Sequence, residues 1–132
     1  MKIESAEICI NKSQVDVFEF LKNIKNFEIL MPNNTSKFEL LASDKFIFSL
    51  NGMPEIILIK TLEKPYELIT LGSEKDNLDF VLEIQIKTSE DRKSLVKLNF
   101  EGNFNPIMAT MIKKPISNFV NSIAENISNV IQ

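Results

Sequence analysis

The sequence predicts an α+β fold: a seven-stranded antiparallel sheet curled around one long C-terminal helix, with two short helices between the first and second strands. Three observations predict it. Between Lys37 and Phe104 apolar side chains recur at every second position, the period of strands with one buried face. Those segments are joined mostly by short turns, which antiparallel neighbours allow. From Asn105 onward the apolar period becomes helical for about 25 residues, enough at roughly 1.5 Å each to cross a whole sheet. A sheet with one apolar face and a helix with one apolar stripe bury both when the sheet curls onto the helix.

The elements follow in order. Residues 2–11 read as the first strand, with Ala6, Ile8 and Ile10 alternating with Glu7, Cys9 and Asn11. Ser13 is a good N-cap for the helix that follows, and Asp16 brings a negative charge to its first turn. That helix carries Val17, Phe18, Leu21 and Ile24 at helical spacing, and Asn23 to Asn26 should break or bend it. A second short helix turns Phe27, Leu30 and Met31 inward, and Pro32 stops it because its ring disfavours helical geometry at the residue before it. Phe38 and Leu40 mark the second strand, and Phe46, Phe48 and Leu50 the third. Asn51-Gly52 signals a tight turn. Strands over 55–63 and 66–73 flank the turn Glu63-Lys64-Pro65. In "IILI" at 56–59 both parities are apolar, so alternation alone does not assign the inward face. Phe80, Leu82, Ile84 and Ile86 make the next strand, Ser89 to Arg92 a polar turn, and Val96, Leu98 and Phe100 the last strand. Asn105 caps the long helix and Pro106 suits its first position. Met108, Met111, Ile112, Pro115, Ile116, Phe119, Ile123, Ile127 and Val130 fall on one broad face.

Composition narrows the function classes. The length of 132 residues predicts one domain, 1–132, and 44% hydrophobic content suits a packed core. A net charge of −3 without a basic run argues against nucleic acid as a partner. Histidine is absent and Cys9 is the only cysteine, which leaves few zinc ligands and no Ser-His or Cys-His nucleophile pair. No metal site, catalytic residue or cofactor is therefore assigned. Cys9 lies in an apolar run and is expected to be buried. No segment has the roughly 18 apolar residues of a membrane helix, so no integral membrane segment is expected. No export signal is visible, and cytoplasmic localisation is the expectation. Four matches to the Asn-X-Ser/Thr pattern, at Asn11, Asn33, Asn34 and Asn126, are read as chance in an asparagine-rich chain.

The element order, together with "NKSQVDVFEFLKNIKNFEILMP" at 11–32, "NGM" at 51–53 and "NPIMATMIKKPISNFV" at 105–120, resembles the helix-grip fold of the START/Bet v 1-like (SRPBCC, polyketide cyclase-like) superfamily, in a small bacterial branch. The resemblance spans essentially the whole chain and rests on scaffold residues. It implies a cavity between sheet and long helix, holding a small apolar ligand such as a lipid or polyketide. The residues expected to line it are Phe46, Phe48, Phe80, Leu82, Phe100, Met108, Met111, Ile112 and Phe119, with the short helices around Phe27 and Met31 at its mouth. Pro115 is expected to kink the helix, and the flexible thioethers of Met108 and Met111 to adapt to a ligand.

Two other functions stay open. A cyclase- or dehydratase-type enzyme needs an ionisable or hydroxyl group aimed into the cavity, and Lys60, Tyr66 and Thr70 are the candidates. The carboxylate pairs Glu4/Glu7 and Glu74/Asp76, and Lys113-Lys114 on the outer side of the helix, read as solvated surface. An interaction module using the outer sheet face, as co-chaperone-like members of the superfamily do, predicts a filled interior and an apolar outer patch. Ile57 and Ile59, if they face outward, provide such a patch and make weak homodimerisation an expectation.

Overall fold

A computed structural model describes residues 1–74, 79–90 and 92–131. The chain forms β1 (Lys2–Glu4), β2 (Ile8–Ile10), α1 (Gln14–Leu21), a 3-10 helix (Ile24–Leu30), β3 (Thr35–Ala42), β4 (Lys45–Leu50), β5 (Ile56–Lys64), β6 (Leu68–Ser73), β7 (Asp79–Thr88), β8 (Ser94–Asn103) and α2 (Pro106–Val130). The strands make one antiparallel sheet in the order β1-β8-β7-β6-β5-β4-β3, with β2 also paired to β8.

The sheet has eight strands where alternation predicts seven, because the first strand is broken. Ile3 pairs with Phe100 and Ile8 with Val96, so five steps along the first segment match four along β8. The extra residue flips the side-chain phase: Ile3 and Ser5 are buried before the break, Ile10 after it, and Ala6 is exposed. Ser5 holds the break by exchanging backbone and side-chain bonds with Leu98, at 2.9 Å each. Cys9 is exposed rather than buried, since it points away from the face that Ile10 occupies.

The caps are as expected. The Ser13 hydroxyl accepts from the Asp16 amide at 3.2 Å, and Asn105 Oδ1 accepts from the Met108 amide at 2.8 Å. α1 ends at Leu21, and the segment carrying Ile24, Phe27 and Leu30 into the core winds as a 3-10 helix up to the residue before Met31-Pro32. Gly52 takes φ +82°, and the Met53 amide donates to the Leu50 carbonyl at 2.9 Å, the pattern of a turn that needs a left-handed third residue. In β5 the inward residues are Ile56 and Leu58, both buried, while Ile57 and Ile59 are half-buried on the outer face.

α2 runs without interruption through Pro115 and lays Ile112, Ile116, Phe119, Val120, Ile123, Ala124 and Ile127 against the sheet. Its C-terminal half is tied to the 3-10 helix by Asn126 Nδ2, which donates to the Leu30 carbonyl at 2.8 Å.

Candidate functional site

Ten phenylalanines in a chain without tryptophan must fill much of the interior, and most of their rings gather in two groups. One crosses the middle of the molecule. Phe46 of β4 lies 5.6 Å from Phe27, 5.0 Å from Phe38 and 5.9 Å from Phe48. Phe48 stacks on Phe119 of α2 at 4.9 Å with the planes 9° apart. Sheet, 3-10 helix and α2 are thus joined ring to ring.

The second group sits where α2 begins. Phe80 of β7 and Phe100 of β8 stack at 5.2 Å, and Phe104 lies parallel to Phe100 at 6.2 Å and 1°. Between these rings, Met53 and Pro54 of the β4–β5 loop, and Met108, Ile112 and Ile116 of α2 lies a crevice with no polar surface. Its volume is about 10 Å³, room for about one water molecule.

Four of the nine expected lining residues, Phe80, Phe100, Met108 and Ile112, do line this crevice. Phe46, Phe48, Leu82 and Phe119 are buried, but they pack into the core and lie off the crevice wall. Met111 is 67% exposed. It sits about 100° around the helix from Ile112, outside the arc that meets the sheet. The methionines that border the crevice are Met53 and Met108. Among the described residues the open hollow implied by the resemblance is reduced to this narrow crevice, because side chains from both layers meet across it. The crevice borders the β4–β5 loop and the start of α2, whereas Phe27, expected at its mouth, is buried near where the 3-10 helix meets the C-terminal half of α2.

Met53, Pro54, Ile56, Phe104 and Ile116 are lining residues that the sequence did not mark as such. Phe104 carried one readable signal: it directly precedes the N-cap Asn105, where an apolar residue commonly folds back against the first turn of a helix.

None of the candidate catalytic groups reaches the crevice. Lys60 points at the end of α1, donating to the Lys22 carbonyl at 3.0 Å and pairing with Glu63. Tyr66 is exposed and meets the edge of Phe18 at 5.5 Å. Thr70 alternates with the buried Ile69 and Leu71 and so faces outward. Glu4 and Glu7 are exposed, Glu4 beside Lys97 at 3.6 Å. Glu74 pairs with Lys45 at 2.9 Å, and Asp76 lies outside the described residues. Lys113 and Lys114 are exposed on the solvent side of α2. Among the described residues no cluster of metal-ligating side chains is found, and no helix is long and apolar enough to cross a membrane. On the outer face Ile57 pairs across strands with Ile47, and each shields the other, so the freely exposed patch expected there is only half open.

No protein-family model matches the chain, and no curated protein sequence matches it. Solved structures do. Truncated norcoclaurine synthase from Thalictrum flavum superposes with a TM-score of 0.79 at 14% identity, over 99% of this chain and 92% of that one. The same enzyme is known in complex with dopamine and hydroxybenzaldehyde. The protein XoxI from Bacillus cereus matches with a TM-score of 0.70 at 12% identity, over 98% and 94% of the two chains. An uncharacterised protein from Bacillus thuringiensis gives 0.67 at 11%, over 96% and 98%. With element order, sheet topology and these superpositions in agreement, the chain has the helix-grip fold that these solved structures share.

Proposed function

We propose that this protein is a binding domain for a small apolar molecule, taken up at the end of the fold where α2 begins. The observation that carries the reading is the crevice whose wall offers only apolar surface and which is bordered by side chains able to give way, Met53, Phe104 and Met108. Thioethers adopt many shapes at small cost. A ligand burying about 300 Å² of apolar surface gains ~7 kcal/mol before ordering costs. Parting the walls subtracts from that gain, so binding in the micromolar range or weaker is expected. An ionisable group in contact with the ligand is absent from the described lining, which favours holding over conversion. The norcoclaurine synthase complexed with dopamine and hydroxybenzaldehyde supports the reading only through its shared fold.

Native mass spectrometry of freshly purified protein, followed by denaturing extraction, tests the proposal. A reproducible small-molecule adduct is expected, or a rise in melting temperature with members of a fatty-acid and aromatic panel. A clean apo mass with no stabilisation by any member overturns it.

A second reading has its own observation. The filled middle of the molecule and the half-open apolar strip of Ile47, Ile57 and Ile59 on the outer face suit a module that binds another protein. Replacing Ile57 by Lys would abolish such an association and leave small-molecule binding intact.

A further inference from the structure

We propose that Phe104 occupies, in the ligand-free protein, the seat of a ligand's aromatic ring: the crevice is a latent site for a neutral, flat, one- or two-ring aromatic molecule that displaces this side chain. The inference rests on the binding reading above and adds the class of ligand and the residue that yields.

The seat is built into the backbone. Gly102 lies two residues before Phe104, on the same side of β8 as Phe100, and is buried. A Cβ placed on Gly102 would stand 2.5 and 2.8 Å from carbons of the Phe104 ring and 2.9 Å from Cβ of Phe80, its cross-strand partner. The missing side chain therefore makes a flat recess, and the ring lying in it stays parallel to Phe100 within 1°. A second flat ring placed there would stack on Phe100 as Phe104 does, and Phe100 is already stacked on Phe80.

The occupant is able to leave. Phe104 belongs to neither β8, which ends at Asn103, nor α2, which begins at Pro106. It is only partly buried, so a rotation about its side-chain bonds carries the ring outward with the strand ladder and the Asn105 cap intact. The space it vacates adds to the existing void. An apolar cavity of about 150 Å³ stays dry and takes benzene, which sets the scale of the guest. With no polar surface in the wall, a polar substituent on the guest has to sit on its outer edge, toward solvent beside the partly exposed Met53 and Met108.

The rival account is structural: the ring serves only to cover the bare backbone of Gly102. Ligand-observed NMR titration with toluene and with methylcyclohexane, applied to the whole protein and to Phe104→Ala and Phe104→Leu, separates the two. Circular dichroism and melting curves establish that each variant is folded. Phe104→Ala is expected to bind toluene at least tenfold more tightly than the unaltered protein, with a smaller gain for methylcyclohexane. Phe104→Leu, which refills part of the recess with a non-planar group, should gain about threefold and serves as the test if the alanine variant does not fold. Equal toluene affinity in all three overturns the inference, yet leaves the binding reading standing if any apolar probe binds. Equal gains for the two probes overturn the aromatic preference. Absence of binding by every probe to every variant overturns both proposals together.

Discussion

Phe48 and Phe119 stack face to face, 4.9 Å between centroids and 9° between planes, and join the sheet to the long helix in the middle of the molecule. Both rings are buried, and Phe119 has neighbours from both layers around it. Replacing Phe119 by Ala should cost about 3–5 kcal/mol, the usual range for emptying a phenylalanine site in a core. Urea denaturation would show this as a lower midpoint with an unchanged slope.

Lys60 tests the distinction between a catalytic and a structural lysine. Its ammonium satisfies a carbonyl at the end of α1, where a positive charge also suits the helix dipole. Lys60→Met keeps the stem and removes the donor. It should lower stability by ~1–2 kcal/mol and leave binding of any apolar probe within twofold of the unaltered protein. A large loss of binding without loss of stability would place Lys60 in the site after all.

Gly52 isolates a backbone effect. Its φ of +82° is left-handed, and a Cβ there would meet nothing within 4 Å. Gly52→Ala should therefore cost ~1–2 kcal/mol, from conformation alone. Gly52→Asn, better suited to that region, should recover much of the loss in the same melting experiment.

Lys37 and Glu55 give a pH-dependent prediction. Lys37 donates to Glu55 at 2.6 Å; that hydrogen bond, and then the opposite charge, hold the lysine above its ordinary value of 10.5. A lysine raised on folding adds stability that is complete below the unfolded value and fades as pH rises through the folded one. The difference in urea midpoint between the unaltered protein and Glu55→Gln should be constant from neutral pH toward 10 and should vanish above the raised lysine value. Both side chains are well exposed, so the difference is small and high salt should shrink it further.

Cys9 should react with a thiol reagent such as DTNB in the native state, at one equivalent per chain and without added denaturant, because it is exposed on β2. Slow labelling that follows unfolding would return it to the buried place that its apolar neighbours suggested.

Local periods carried most of the fold. The alternation of Phe80 to Ile86 and of Val96 to Phe100 corresponds to β7 and β8, with those side chains buried, and the caps Ser13 and Asn105 sit where their side chains imply. Three features were illegible for identifiable reasons. The break after β1 depends on Ser5, a polar residue whose burial is repaid only by its partner Leu98, far away in sequence. Met111 lies at the margin of an apolar arc, and only the curvature of the facing sheet decides which margin is covered. The crevice draws Met53, Pro54 and Phe104 from turns and connections, where no repeating pattern announces an inward side chain. What the phenylalanine count could not convey is whether the rings line a hollow or close it; that follows from their pairing across elements.

The border strand β3 has a consequence of its own. Its pairing with β4 shifts between Thr35 and Lys37 and again between Leu40 and Ala42, leaving regular register only from Lys37 to Leu40. A further chain docking alongside would find unbroken rungs over that brief stretch and a kinked backbone beyond both ends. Leu40 and Leu41, exposed there, are thereby kept from seeding extended fibrils, and crowded solutions of the protein should stay clear longer than its greasy rim suggests.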